Sequence, residues 1–447
     1  VKLIEVAQSA VRLALELGAT DAECTIAEGE EFSAGVRMGQ VEKLTQAGSR
    51  GVGIRVLVGK RSGSARTSDL TADGIAGMVR SALELAAITT EDPYAGMPEA
   101  EELGQIEGDL RLYDEAIARM EASWKIEQAL RAERAAFATD PRIVNSEGAG
   151  FDTYLGGRVF VNSRGFAGAY RTSSCGLSVV PVAKQDGWME RDYWASSARA
   201  AASLETPEQV GRRAAERALR RLGARKVTTQ KVPVVFEPRT ARSLLGDLFE
   251  AVNGGAIYRQ ASFLAGKLGE KVASEHLTVI DDGTLPGLFG TSPFDDEGVP
   301  SRRTVVIERG ILRSYLLNTY TARKLGLRTT GNASRGLAGN AGVGPGNFHI
   351  VAGQRSEAEL LAGVRQGLYV TELIGASANI VTGDYSAGAA GIWIENGELA
   401  YPVSEITVAG NFKQMLMDLE EPASNLEFRS AIAAPSILIG EMTVSGQ

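Results

Sequence analysis

Short runs in which every second residue is apolar, each closed by a turn rich in glycine, commit much of this chain to antiparallel sheet. Val52, Ile54, Val56 and Val58 share one face of an extended segment, and Gly59-Lys60-Arg61 turns the chain back into residues 62–67. Period two is the signature of a strand. Asn162-Ser163-Arg164-Gly165 separates strands expected at 152–161 and 167–180, and Arg309-Gly310 separates 303–308 from 311–316. The strongest hairpin signal is Asn396-Gly397, between Ile392-Trp393-Ile394 and the run from Leu399 to Tyr401. Such turns need positive φ at both central residues. Glycine supplies 52 of 447 residues without a collagen-like period, which points to many tight turns and close backbone approaches.

A chain of this length exceeds one ordinary core. At the start, Val6, Val11, Leu13, Ala14 and Leu17 recur at helical spacing and Gly18 is a stop. Strands are expected at 22–27, 31–38 and 51–58, and Thr71 with Asp73 opens a second helix. Residues 90–112 are acidic and contain prolines, which reads as a solvated linker. A helix over 114–138, strands over 142–182 and a helix over 207–222 follow. Polar residues 223–231 mark a further boundary, before strands at 232–236, 277–280, 303–308, 391–395 and 406–409 and helices at 240–252 and 319–325. The expected fold class is α+β. An N-terminal α+β domain over 1–90 and a central α+β domain over 113–223, with antiparallel or mixed sheets and flanking helices, precede a β-rich C-terminal domain over 230–447.

The formal charge of -8 argues against direct nucleic-acid binding. Arg212, Arg213, Arg217, Arg220, Arg221 and Arg225, interleaved with Glu216, read as a solvated helix face. Trp188, Tyr193 and Trp194 read as core or interface filler. Cys24 and Cys175 form no disulfide framework and fit a reducing compartment, so a cytoplasmic location is the default expectation. No apolar stretch reaches the ~18 residues of a membrane span, and the first residues form an amphipathic helix pattern rather than a signal peptide.

The catalytic inventory is sparse. His276 and His349 are the two histidines, and they do not form a helical metal pair. Gly342-Val-Gly-Pro-Gly346 lacks the Lys-Ser/Thr of a phosphate loop, and there is no Gly-x-Ser-x-Gly elbow. Asp281-Asp282-Gly283 and Asp295-Asp296-Glu297 offer oxygen donors to a hard cation, although Asp-Asp-Gly is more simply a turn. What stands out is the run Thr329-Thr330-Gly331-Asn332-Ala333-Ser334-Arg335-Gly336, continuing to Gly346-Asn347-Phe348-His349. A loop rich in Gly and Asn exposes backbone amides and carbonyls suited to an extended peptide, and Arg335 suits a carboxylate. Asn332, Ser334, Arg335 and Asn347 are therefore the candidate peptide-binding residues, with an ordinary surface loop as the alternative.

These motifs, with Ser262 to Ser274, Phe294-Asp295-Asp296-Glu297-Gly298, Ile307-Glu308-Arg309-Gly310, Pro435-Ser436-Ile437 and Met442 to Gly446, resemble the TldD/PmbA family along the whole chain. The resemblance implies a heteromeric cytosolic zinc protease, a family historically tied to DNA gyrase modulation. In it, TldD-type subunits hold zinc on a His-Glu-x-x-x-His helix and a cysteine near the C-terminus, and TldE/PmbA-type subunits lack these ligands. In the matching helix here the histidine positions are read as Gly246 and Ala251 and the glutamate as Asp247, and Leu426 to Pro435 contains no cysteine. The implied protein is a TldE/PmbA-like subunit with no catalytic or metal residues and no cofactor of its own. Its zinc resides in a TldD-like partner, and its ligands are that partner and unfolded peptides, with neither nucleic acid nor membrane. Pairing of homologues makes a homodimer one state open to the isolated chain, and the sequence does not decide it. The alternatives are a self-sufficient hydrolase using His276, His349 and the acidic clusters, and a regulatory binding protein unconnected with proteolysis.

Overall fold

A computed structural model of the chain describes residues 2–446. Its fold is α+β, built on one large sheet, a smaller sheet and a closed barrel. The first half contains α1 (Leu3–Glu16), β1 (Asp21–Arg37), β2 (Gln40–Val58), β3 (Arg61–Thr67), α2 (Ala72–Ile88), α3 (Glu115–Ala118) and α4 (Ala122–Thr139). It continues with β4 (Ile143–Asn162), β5 (Ala167–Gln185), β6 (Trp188–Arg191), β7 (Trp194–Ala198) and α5 (Pro207–Leu219). The strands lie in a single sheet of order β3-β2-β1-β4-β5-β6, with β7 also on β5. Strands from both sides of residues 90–112 thus share one set of ladders.

Alternation along β4 shows how this sheet is used. Ala149, Phe151, Val159 and Val161 share one parity and pack with the helices: the first two with α4 and α5, the last two with α1 and α2. Arg158 and Phe160 have the opposite parity and turn toward Asp296 and Phe294 from the second half. One face is therefore roofed by helices, and the other receives the C-terminal half. The helices approach closely because small residues face the contacts. Ala7, Ala10 and Ala14 line the buried side of α1, while Leu17, expected on that side, is 47% exposed. A Cβ on Gly63 would lie 2.0 Å from the Ala82 carbonyl oxygen of α2.

The second half contains β8 (Gln230–Phe236), α6 (Pro238–Val252), α7 (Gly254–Tyr258), β9 (Val279–Asp282), β10 (Arg303–Glu308), β11 (Ile311–Leu312) and α8 (Thr319–Leu325). Then come β12 (Ala333–Ser334), β13 (Gly342–Val343), β14 (Phe348–Ile350), α9 (Glu357–Ala362), β15 (Gln366–Ala378) and β16 (Asp384–Glu395). β17 (Glu398–Asn411), α10 (Phe412–Met417), β18 (Ile432–Ala433) and β19 (Ile437–Ser445) complete it. β15-β16-β17-β19-β8 close a barrel, and β11-β10-β9-β14-β18 form a sheet beside it. α6 buries Leu244, Leu245, Leu248 and Ala251 in their shared core.

Several sequence expectations change. The runs 22–27 and 31–38 are one strand, because Gly29 stays extended beneath the Tyr154 ring and Glu28 pairs with Arg50 across the ladder. The helix expected over 114–138 is two, α3 and α4. The strand expected over 311–316 ends at Leu312. Residues 90–112 are not a solvated linker. Ala95 and Met97 are buried, the Gly104 and Ile106 amides donate to Gly298 and Pro293, and the Met97 carbonyl accepts from Arg323. This strap ties the two halves together. The arginines of α5 and its extension are a solvated face only in part: Arg212 and Arg213 are exposed, but Arg217 is buried against Glu237, Arg221 pairs with Glu190 and Glu372, and Arg225 stacks on Tyr401. Val1, in the expected first helix, lies outside the described residues. Among the described residues no helix is long and apolar enough to cross a membrane.

The close approach at Gly63 yields a stability prediction. Gly63→Ala lowers the unfolding free energy by about 1–3 kcal/mol through overpacking. Gly48→Ala, where an added Cβ meets nothing within 4 Å, stays within about 0.5 kcal/mol. Urea denaturation of both variants checks this, and equal midpoints would refute the close-packing account.

Candidate functional site

The Gly/Asn-rich segment folds back on itself through the β12–β13 pair and docks on the open face of the large sheet. Glycines of β2 make room for it: a Cβ on Gly53 would sit 2.0 Å from the Leu337 carbonyl oxygen. Arg335 then reaches β1, where it meets Glu23. Arg55 of β2 donates to the same Glu23 oxygen at 2.9 Å. Both pairs are enclosed, with side-chain exposures of 3% for Arg335, 8% for Arg55 and 1% for Glu23. Burial alone would raise the Glu23 pKa, but Arg335 and Arg55 outweigh it and hold the carboxyl below its usual range.

The neighbouring acids diverge rather than converge. Asp295 accepts from the backbone amides of Glu297, Val299 and Ala333. Asp296 pairs with Arg158 at 2.8 Å, and Glu297 accepts from the Thr319 amide. Glu23, Asp295, Asp296 and Glu297 are four carboxylates facing the three guanidiniums of Arg55, Arg158 and Arg335. Burial, then repulsion from Glu297, pushes Asp295 up to about 8. Burial likewise raises Glu297.

The candidate residues take distinct places. Arg335, expected to receive a substrate carboxylate, has its guanidinium committed to Glu23 and the Asp296 carbonyl. Asn347 is fully buried, and its Nδ2 donates to the Asp282 carbonyl and Thr291. Asn332 is buried and donates to Asp281 at 2.6 Å and to the Gly344 carbonyl at 3.0 Å. Ser334 is exposed on the rim of a cleft of about 210 Å³ lined also by Asp281, Gly290, Asn332, Gly344 and Gly346. The segment therefore shapes a cleft that most of its conspicuous residues support from behind. Asp281 had been read as a turn residue. It is a buried member of β9, while Asp282 does cap the turn by accepting from the Thr284 amide.

A second cleft, of about 250 Å³, lies where the first turn of α6 meets residues 425–434. Gly246 and Ala251 do not line it: Ala251 is in the hydrophobic core, and Asp247 accepts from the Ala378 amide of β15. The lining helix positions include Glu237, Arg239 and Arg242, while positions 246 and 251 lie further along α6. Glu237 is held by Arg217 at 2.7 and 3.0 Å and by Arg220 at 3.3 Å. Arg429, facing from the C-terminal segment, pairs with Glu205 and lies 4.4 Å from the Trp194 ring centre. Arginine has no lone pair to give a metal, so this set does not fit zinc. His349 is buried with Nδ1 2.8 Å from the Asn347 carbonyl, and His276 is exposed. Among the described residues no three His, Cys, Asp or Glu side chains are grouped to hold an ion.

A β-rich half carrying a helix after its first barrel strand, joined to a helix-roofed sheet, is the architecture of a metallopeptidase family. Profiles described as PmbA/TldA metallopeptidase match residues 22–86 as domain 1, 115–222 as the central domain and 229–446 as the C-terminal domain. The chain belongs to the PmbA/TldD family. It is 40% identical to Metalloprotease PmbA of Escherichia coli O157:H7 over 99% of this chain and 97% of that protein. It is 36% identical to a PmbA homolog of Haemophilus influenzae, covering 98% and 94% of the two chains. A crystal structure from Bacteroides thetaiotaomicron named for modulation of DNA gyrase superposes with a TM-score of 0.91 at 29% identity, covering 99% and 98%. TldE of Thermococcus kodakarensis shares the fold, with a TM-score of 0.89 at 21% identity over 99% and 100%.

Two predictions follow from the buried charges. Glu23→Ala leaves Arg55 and Arg335 without their shared carboxylate and lowers stability by about 3–5 kcal/mol, measured by urea denaturation; a loss under 1 kcal/mol would show the pairs to be superficial. The Asp295 contribution is fully present below its unfolded value of 3.8 and is lost as the pH rises toward about 8. Glu297, also raised, acts in the same direction, whereas Glu23, lowered, contributes above 4.5 and loses its effect as the pH falls. Asp295→Asn therefore flattens the decline in stability between pH 5 and about pH 8. Identical slopes in variant and parent would place the proton elsewhere.

Proposed function

We propose that this chain is the non-catalytic, TldE/PmbA-like subunit of a two-component zinc protease, presenting unfolded peptide to a zinc-bearing homologue. The observation that carries this reading is α6 itself, where Gly246 and Ala251 occupy the positions that the family resemblance gives to ligand histidines and Ala251 is packed into the core. In the cleft at the start of that helix, Arg242 and Arg429 stand on the helix and on the C-terminal segment, and Glu237 is already clamped by Arg217 and Arg220. Activating water near neutral pH takes a metal held by about three protein ligands with an open position. Side chains locked in cation–carboxylate pairs do not supply them. The peptide site is the cleft beside β12, whose glycine-rich walls leave backbone groups accessible to an extended chain.

The names of the relatives favour a second reading, in which the chain is itself a metalloprotease. Purified chain, its zinc-bearing homologue and their mixture, assayed on an unfolded peptide with zinc quantified in each, separate the two. The proposal expects cleavage from the mixture, with no stoichiometric zinc in this chain. Cleavage by this chain alone with one bound zinc would favour the second reading. In the active mixture, Ser334→Trp narrows the cleft mouth and raises KM by roughly tenfold with kcat little changed; an unchanged KM would remove the cleft from the peptide path.

A further inference from the structure

Asp281 lines the cleft beside β12, and one oxygen of its carboxylate has no partner. Asp281 is 2% exposed, and its Oδ1 has no hydrogen-bond donor. Its Oδ2, by contrast, is held by Asn332 and lies against Gly346. Buried polar atoms are nearly always paired, and an unpaired carboxylate oxygen is costly. The other charged groups facing this cleft are spoken for or peripheral. Asp295 takes three backbone amides and Asp296 takes Arg158. Arg199 donates to the Leu288 and Phe289 carbonyls at 2.9 Å each, and Arg302 is exposed. Asp281 alone is short of a donor.

The complement of such an oxygen is an N–H-bearing cation. About 210 Å³ admits the end of a peptide or one long side chain and excludes a folded domain. A metal is a poorer match, because no three ligating side chains group together among the described residues. We infer that Asp281 receives a primary ammonium group of an incoming peptide, its α-amine or a lysine side chain, in the cleft beside β12. The inference rests on the peptide-presenting reading above and adds the chemistry that selects the peptide.

The test uses the full chain and fluorescent alanine-rich peptides in three forms: with a free α-amine, N-acetylated, and N-acetylated with one internal lysine. The free-amine or the lysine peptide binds about tenfold more tightly than the acetylated alanine peptide, and which of them does so identifies the source of the ammonium. Asp281→Asn abolishes the preference. A variant-free comparison guards against misfolding: trimethylating the favoured amine keeps the charge, removes every N–H, and erases the preference on the unmodified protein. Equal affinity for all peptides overturns the inference while leaving peptide binding standing. Binding of none overturns both. A preference that survives trimethylation and Asp281→Asn assigns the selection to a group other than Asp281 and overturns it as well.

Discussion

Arg335 carries a permanent charge into a nearly closed interior, and everything at the junction of the two halves is arranged around that fact. A guanidinium cannot shed its proton to escape burial, so the fold must bring it a carboxylate. That carboxylate is Glu23, at the far end of the sequence on β1, and Arg55 of β2 shares it. The glycines at positions 51 and 53 hold the loop low enough for the contact, because side chains there would strike Leu337. The strap over residues 90–112 closes the same junction from another side through Arg323 and Tyr320, whose hydroxyl donates to Asp92 at 2.8 Å. Loop shape, cleft shape and the seating of one half on the other are thus a single mechanical problem.

Local rules made much of the fold legible. Asn396 and Gly397 have φ of 54° and 84°, the geometry their dipeptide calls for. α8 spans 319–325 as expected, between an Asn318 capping box and Gly326 at φ 67°. Period two exposed β2 only where its alternate residues are buried. Its first half, from Gln40, is exposed on both faces and leaves no pattern to read. Barrel closure was equally hidden, because the parallel β8–β15 contact joins residues more than a hundred positions apart.

At the candidate site the sequence points to the segment that walls the cleft beside β12, and the structure adds how its residues are held. Polarity suggests that Arg335, Asn332 and Asn347 face a ligand; Asn332 does line the cleft, whereas Arg335 and Asn347 are turned inward and hold its wall. Only distance in space reveals this, since Arg335 is matched by an acid 312 residues away. Asp281 reads as a turn residue for the converse reason. An Asp-Asp-Gly run satisfies turn chemistry, and here Asp282 meets that need and leaves its neighbour's Oδ1 unpaired. Residues 241–251 look helical whichever face is inward, and only the contact with residues 425–434 identifies the turn that adjoins the C-terminal segment.

The two clefts differ in a way that bears on their chemistry. Beside α6, positive and negative side chains neutralise one another at 2.7–3.3 Å, so a ligand entering there must displace made interactions. Beside β12 the acids are held by backbone amides and by a proton, and one oxygen is left unmatched. A site whose charges are already satisfied gains little from a ligand, because each new contact replaces an old one. A site with an unpaired buried acceptor gains more, because only the ligand's own hydrogen bonds to water are given up in return. The proposed peptide binding therefore belongs beside β12, while the ion pairs beside α6 clamp that helix and α5 together.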